Sequence, residues 1–181
     1  MKNAPVLLGL CLTLLVTGCT FATPRYSISA DNNEAVKSLK LSNIAIGTFA
    51  GPSTFDSSCR LTGSLAPLDK VTYTDYIRKA FEAEFKLAGA LAVVQPRVTL
   101  SGNVTSLEFS SSRNIIGGSW LIDLALNSSN GKQMTISEVY EFESGYNGET
   151  ACRQTAEAFV PAVQDLIGKT VRSSQFKVLV Q

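Results

Sequence analysis

The sequence predicts an α+β fold in which two helices pack on one face of a mainly antiparallel sheet of four to six strands. Two stretches carry apolar residues at helical spacing, and the segments around them alternate apolar with polar residues as half-buried strands do. The predicted order is strand, helix, three or four strands, helix and a last strand. Because both helices are apolar on one side only, they pack most simply against one face of the sheet.

The first predicted strand lies in the sequence NIAIGTFAG, where Ile44 and Ile46 alternate with small residues before a Gly-Pro turn. Residues 52–70 follow. They are rich in Ser, Gly and Pro and have no helical period, so we expect a long loop. Cys59 in the middle of this loop indicates that the loop is held in place rather than free.

The clearest predicted helix begins near Thr72 or Thr74, either of which can cap it. Its apolar residues recur at steps of four and three: Ile77, Phe81, Phe85 and Ala88. Gly89 is expected to end it in the left-handed conformation. This pattern predicts a helix docked on the sheet.

A strand-rich block follows, and its last two strands are joined by Asn130-Gly131, the strongest short signal for a hairpin. Alternation places two apolar sets on one face: Trp120, Ile122, Leu124 and Leu126, then Met134, Ile136, Tyr140 and Phe142. Asp123 is expected to point outward. We interpret Glu138, Glu141 and Glu143 as a solvated strand face rather than as an acid–base pair.

The second predicted helix covers ETACRQTAEAFVPAVQDLIGKTVR, with Thr150 as its cap. Pro161 lies inside it and predicts a kink or a division into two pieces. The C-terminal sequence QFKVLVQ is interpreted as a last edge strand.

The N-terminus has the parts of a secretory signal: a positive Lys2, a short apolar run and small residues before a cut site. The run is shorter than the roughly 20 residues that span a bilayer. Val16 to Cys19, V-T-G-C, resembles the bacterial lipobox, which implies that a diacylglycerol is placed on Cys19 and that the chain is cut before it. An ordinary signal peptide with a chance cysteine is the alternative.

The lipobox resemblance implies a domain order. Residues 1–18 are a signal peptide, residues 19–40 a lipidated N-terminus and flexible tether, and residues 41–181 a single periplasmic α+β domain. A short edge strand within the tether segment is the alternative. By resemblance to Gram-negative lipoproteins, Thr20 rather than Asp after the cysteine favours the outer membrane. The expected localisation is therefore the outer membrane, lipid-anchored, with the domain facing the periplasm.

A second resemblance starts from Ile44, Ala45, Ile46 and Phe49, followed by a loop, a helix ending in Gly, strands and a second helix. This arrangement, over residues 41–171, is similar to the small α/β domain of YajG-type lipoproteins and TolB N-terminal-like domains. The resemblance implies an adaptor, an enzyme activator or a subunit of an export assembly, and it brings no catalytic residues with it.

The four cysteines reduce to one pair. Cys11 leaves with the signal and Cys19 carries lipid, so Cys59 and Cys152 remain in a compartment that favours disulfides. We predict that they form a structural bridge. A reactive thiol or two free buried thiols are the alternatives, although no C-x-x-C spacing is present.

Composition excludes several classes of chemistry. The chain has no histidine, which argues against Ser-His-Asp and Cys-His catalysis and against most zinc sites. We therefore expect no catalytic residues, no metal and no cofactor. Basic and acidic residues number 16 and 15 and form no long basic run, so nucleic acid is not an expected partner.

One stretch is a candidate partner contact. In SSSRNIIGGSW, Arg113, Ile115 and Ile116 stand beside two glycines in a predicted hairpin connection. The alternative is that the strands run longer and one isoleucine belongs to the core. Arg60 and Arg113 also lie in polar segments, where each is a weak candidate to clamp an anion.

These observations predict a non-enzymatic outer-membrane lipoprotein that acts as an accessory or adaptor through protein contacts. Its membrane contact is the lipid at Cys19, its envelope protein partner is unidentified, and a homo-oligomer is a variant of the same hypothesis. A periplasmic lipid- or glycan-binding protein is the second hypothesis. A thiol-redox protein that uses Cys59 and Cys152 is the third.

Overall fold

The computed structural model describes residues 19–52, 54–113 and 116–181. The predicted signal peptide, residues 1–18, lies outside the described residues. The described elements are β1 (Cys19–Thr23), α1 (Ala30–Ser38), β2 (Ile44–Ala50), β3 (Ser58–Cys59), β4 (Gly63–Pro67), α2 (Tyr73–Leu87), β5 (Val98–Arg113), β6 (Gly117–Ser128), β7 (Gln133–Glu143), α3 (Gly148–Arg172) and α4 (Ser174–Leu179).

The strands form two sheets. The larger has the order β2-β5-β6-β7, with β2 parallel to β5 and the other two pairs antiparallel. The smaller has the order β1-β4-β3, with β1 parallel to β4. The predicted α+β class and its mainly antiparallel main sheet are confirmed. The second sheet and the extra helices α1 and α4 were not predicted.

The core lies between the larger sheet and the helices α2 and α3. Helix α2 contacts β2, while α3 lies across β5, β6 and β7 and also contacts β1. The largest fully buried side chains come from both layers and include Trp120, Phe81, Phe85 and Phe159. Trp120 Nε1 donates to the carbonyl oxygen of Thr155 at 2.8 Å, which satisfies its buried polar group.

Local signals of α2 are realised as predicted. Thr72 is its N-cap, and the Thr72 hydroxyl accepts from the Asp75 amide at 3.0 Å. Gly89 has φ of +71° just beyond the helix. The hairpin glycine Gly131 likewise has a positive φ, of 83°.

Residues 19–40 do not form the expected flexible tether, because they contain β1 and α1. Ser29 caps α1, and Val36 packs into the core. Distant partners hold this helix: Asn32 Nδ2 donates to the carbonyl oxygen of Gln164 at 2.7 Å. The segment is thus part of the folded domain.

Three further expectations are corrected. The C-terminal segment forms α4 rather than an edge strand, because Phe176 packs its ring against Phe85, 6.1 Å between centroids. Residues 52–70 are only partly a loop, since they contain β3 and β4. Helix α3 is one element across Pro161, and its N-cap is Asn147 rather than Thr150.

Candidate functional site

An open cleft of about 440 Å³ lies where the end of β2, residues 51–52 and 55–57, β4 and the start of α2 meet. Its lining is mostly apolar and includes Phe49, Phe55, Leu65, Pro67, Val71 and Leu107. This volume falls within the range of about 300 to 1,000 Å³ that is usual for small-molecule sites. The cleft is therefore the principal candidate site in the described part of the chain.

Packed aromatic rings back one side of the cleft. The ring of Phe55 lies 5.1 Å from that of Tyr73 and 6.2 Å from that of Trp120, between centroids. Trp120 in turn packs edge-on against Phe159 at 4.7 Å. Because Trp120 and Phe159 are fully buried, this wall is fixed by the core. The cleft is consequently preformed.

The chemistry of the lining favours binding over proton transfer. The polar side chains among the described lining residues are the hydroxyls of Ser57, Thr72, Tyr73 and Thr74. Burial raises the pKa of Tyr73 to about 12, and its hydroxyl is hydrogen-bonded to that of Thr23 at 2.9 Å. Tyr73 is thus neutral at physiological pH.

The predicted disulfide is confirmed: Cys59 and Cys152 are bonded, with 5.9 Å between their Cα atoms. The bridge joins β3 to the first turns of α3. The segment before β3 borders the cleft, and the Leu65 amide donates to the Ser57 carbonyl oxygen at 2.9 Å. The bridge and this hydrogen bond hold the predicted long loop in place.

The predicted partner contact lies apart from the cleft. Arg113 forms an ion pair with Glu141, and Ile116 is 62% exposed at the turn between β5 and β6. Ile115 lies outside the described residues. Strands β5 and β6 extend up to this turn, as the alternative interpretation anticipated, yet Ile116 is not part of the core.

Arg60 is a structural residue rather than a free anion clamp. Its guanidinium donates to the hydroxyl of Ser111 at 3.1 Å, to the carbonyl oxygen of Ser111 and to that of Tyr146 at 3.1 Å. It thereby ties the turn between β3 and β4 to the end of β5 and to the loop before α3. The sequence shows a basic residue beside Cys59 but not these distant acceptors.

The acidic residues of β7 do not all lie on a solvated face. Glu138 is buried, and its Oε2 lies 2.7 Å from Nζ of Lys169 on α3. The interpretation of Glu138 as solvated was wrong, because alternation places it with Ile136 and Tyr140, toward the helices. Glu141 is exposed, in agreement with the prediction.

Glu84 on α2 is a second buried carboxylate. Its Oε1 accepts from the Tyr26 hydroxyl at 2.6 Å and from the Ser29 amide at 2.8 Å. Burial and the neighbouring Glu84 raise the pKa of Tyr26. Glu84 thus ties the start of α1 to α2.

Cys19 is exposed and lies at the start of β1, opposite Gly63 of β4. Its lipidation remains a prediction. Among residues 19–52, 54–113 and 116–181, no helix is long and apolar enough to cross a membrane. No cluster of three or more Cys, Asp or Glu side chains suited to a metal ion occurs in the same residues.

Comparisons with known proteins define the fold. No family model matches the chain, and no curated protein matches it. The fold is similar to that of protein XCC0632 from Xanthomonas campestris, of the DUF330 family, with TM-score 0.52, 13% identity and coverage of 85% of this chain and 95% of that one. It is also similar to the hypothetical protein CT253 from Chlamydia trachomatis, with TM-score 0.50, 9% identity and coverage of 77% and 98%. At these identities the likeness shows a shared fold of bacterial proteins.

Proposed function

We propose that this protein is an outer-membrane lipoprotein, anchored through acylated Cys19, that works without catalysis by binding a partner protein of the cell envelope. The V-T-G-C motif after a short apolar run supports the anchor. The position of Cys19, exposed at the first residue of β1, also supports it, because an attaching enzyme requires an accessible thiol.

The single observation that carries the binding function is the preformed apolar cleft. Val71 and Leu65 on its sides, with the ring of Phe55, offer a surface for apolar side chains of a partner segment. Buried apolar anchors in preformed pockets provide most of the binding energy of protein interfaces. Because the cleft is open on one side, a segment of another chain can enter it without rearrangement of the core.

The proposed lack of catalysis is supported by the lining. Tyr73 is held neutral by a pKa of about 12, and its hydroxyl is engaged with Thr23. Thr72 already accepts the Asp75 amide as the cap of α2. The hydroxyls of Tyr73 and Thr72 are engaged within the fold, so neither is a general acid or base near neutral pH.

Site-specific photocrosslinking in intact cells tests the proposal. A photoreactive residue replaces Val71 or Ser57 in the cleft, and Val93, an exposed residue between α2 and β5, is the matched control. We expect one recurring protein adduct from both cleft positions and none from position 93. Val71→Glu should weaken binding of that partner, whereas Val93→Glu should not. Adducts equal at all three positions, or absent from the cleft, contradict the proposal.

A second candidate function rests on the same cleft. Its volume of about 440 Å³ also suits an acyl chain or another apolar small molecule. Native mass spectrometry of gently purified protein separates the two. A co-purifying small molecule that Val71→Glu removes and Val93→Glu retains supports a ligand carrier, and its absence together with cleft adducts supports the adaptor.

A further inference from the structure

We propose that the end of the fold that carries Cys19 lies directly on the bilayer, with Leu61, Tyr146 and Ile116 in contact with lipid. This inference rests on the acylation of Cys19 under the proposed function. It adds which surface of the domain faces the membrane, in place of the flexible tether expected for residues 19–40.

The residue proposed to be acylated lies close to the turn that contains Leu61. Cys19 pairs with Gly63, and Leu61 lies two residues before Gly63 in the turn between β3 and β4. Paired strands are about 4.8 Å apart and successive Cα atoms 3.8 Å apart, so the Cα atoms of Cys19 and Leu61 lie within roughly 13 Å of each other. No flexible spacer separates the acylated residue from the sheet.

Three exposed apolar side chains lie at the same end of the domain as Cys19. Leu61 is fully exposed, and the side chains of Tyr146 and Ile116 are 82% and 62% exposed. Hydrogen bonds place their turns side by side: Arg60 donates to the Tyr146 carbonyl oxygen at 3.1 Å, and the Ser144 amide donates to that of Ile116 at 2.7 Å. Single exposed apolar residues are ordinary, but three on adjoining turns beside an anchor form a surface.

The backbone of the turn at Leu61 is held in an unusual conformation. Arg60 and Leu61 have φ values of 46° and 55°, a left-handed conformation that is costly for residues other than glycine. The turn is held in this conformation by the Cys59–Cys152 bridge on one side and by the hydrogen bonds of Arg60 to Ser111 on the other. A strained, clamped turn therefore projects an aliphatic side chain outward, as a lipid-contacting residue requires.

The position of the anchor indicates that this surface contacts a lipid bilayer. An acyl chain attached at Cys19 brings lipid headgroups to the residues nearest it, and a tyrosine with an apolar ring and a polar tip suits that depth. The far end of the domain provides a contrast. Val93 is as exposed as Tyr146 but precedes β5, whose 16 residues extend for roughly 50 Å before the turn at Ile116.

Tryptophan quenching by brominated lipids tests the orientation. The lipidated full-length protein is reconstituted into phosphatidylethanolamine–phosphatidylglycerol vesicles with brominated acyl chains, carrying Leu61→Trp, Tyr146→Trp or the control Val93→Trp. The parent protein, whose Trp120 is fully buried, supplies the baseline. Flotation of the vesicles measures whether the protein is attached to the membrane. The mass of the N-terminal peptide measures whether Cys19 is acylated.

We expect Leu61→Trp and Tyr146→Trp to be quenched at least about twofold more than Val93→Trp, since apolar faces of membrane-surface elements enter the headgroup boundary by about 5 to 10 Å. Flotation with equal quenching at all three positions overturns this inference and leaves the proposed anchor standing. Protein that does not float, with an unmodified Cys19, overturns both. If Leu61→Trp fails to fold, Tyr146→Trp alone decides between these outcomes.

Discussion

Cys59 and Cys152 are bonded across a sequence separation of 93 residues, so the two-residue strand β3 is covalently joined to the start of α3. Both cysteines are buried. The bridge holds the turn that presents Leu61 on one side and borders the cleft segment that contains Ser57 on the other. It therefore supports the two surfaces to which we assign function.

Removal of the bridge should lower stability strongly. For the double variant Cys59→Ser with Cys152→Ser, we expect a loss of about 2 to 5 kcal/mol in the free energy of unfolding. This corresponds to a decrease of roughly 5 to 20 °C in melting temperature for a domain of this size. Thermal unfolding followed by circular dichroism measures it, with Cys19→Ser as the control that should melt like the parent. A double variant that melts within about 2 °C of the parent contradicts the structural role.

Two carboxylates on α2 should differ in their contribution. Glu84 is fully buried and accepts from Tyr26 and Ser29, so Glu84→Ala leaves two donors unpaired and should cost about 2 to 4 kcal/mol. Glu82 is half-buried, and its carboxylate pairs with Arg78 at 3.0 Å on the helix surface, so Glu82→Ala should cost less than about 1 kcal/mol. Urea unfolding at neutral pH compares the two variants. Equal losses would show that the buried hydrogen bonds of Glu84 are not a main support of α1.

Tyr73 should make the free energy of unfolding decrease at alkaline pH. Burial raises its pKa to about 12 in the folded protein from an ordinary value of 10.0, so folded protein retains a proton that unfolded protein releases. The contribution of the neutral Tyr73 hydroxyl to the free energy of unfolding is complete below pH 10 and is lost as the pH rises through 12. Tyr73→Phe should cost about 1 kcal/mol at pH 8, because the hydrogen bond to Thr23 is lost.

At pH 11 the gap in unfolding free energy between Tyr73→Phe and the parent should narrow by about 1 kcal/mol, because phenylalanine has no proton to lose. Chemical unfolding of both proteins at pH 8 and pH 11 measures this. Tyr26 and Tyr76, whose pKa values are also raised by burial, remain in both proteins and cancel in the comparison. A gap that is the same at both pH values contradicts the assignment to Tyr73.

Helix α2 was predictable because its signals are local. The cap Thr72, the apolar stripe and the terminal Gly89 all lie within the segment itself. Helix α1 is not visible in the sequence because Val36 is the one apolar side chain of ADNNEAVKS that is larger than alanine, and because its buried Asn32 depends on Gln164, far along the chain. The strand expected at the C-terminus was wrong because its β-branched valines favour a strand locally, whereas the packing of Phe176 on Phe85 is not visible in the sequence.

In the candidate site too, some features could be predicted from the sequence, whereas others depend on contacts between distant segments. The Cys59–Cys152 bridge followed from elimination among four cysteines, since no distance was needed to pair the last two. The cleft could not be predicted, because its lining comes from β2, β4, β5 and α2, which only the tertiary fold brings together. Glu138 shows an error that alternation alone could have prevented, since it shares the parity of the buried Met134.

Acylation of Cys19 is tested most directly by the mass of the N-terminal peptide of the mature protein, extracted from cell envelopes in detergent. We expect the chain to begin at Cys19 and this residue to carry a diacylglycerol. A mature chain that retains residues before Cys19, or that begins at a cysteine without lipid, contradicts the anchor and the membrane-facing orientation derived from it.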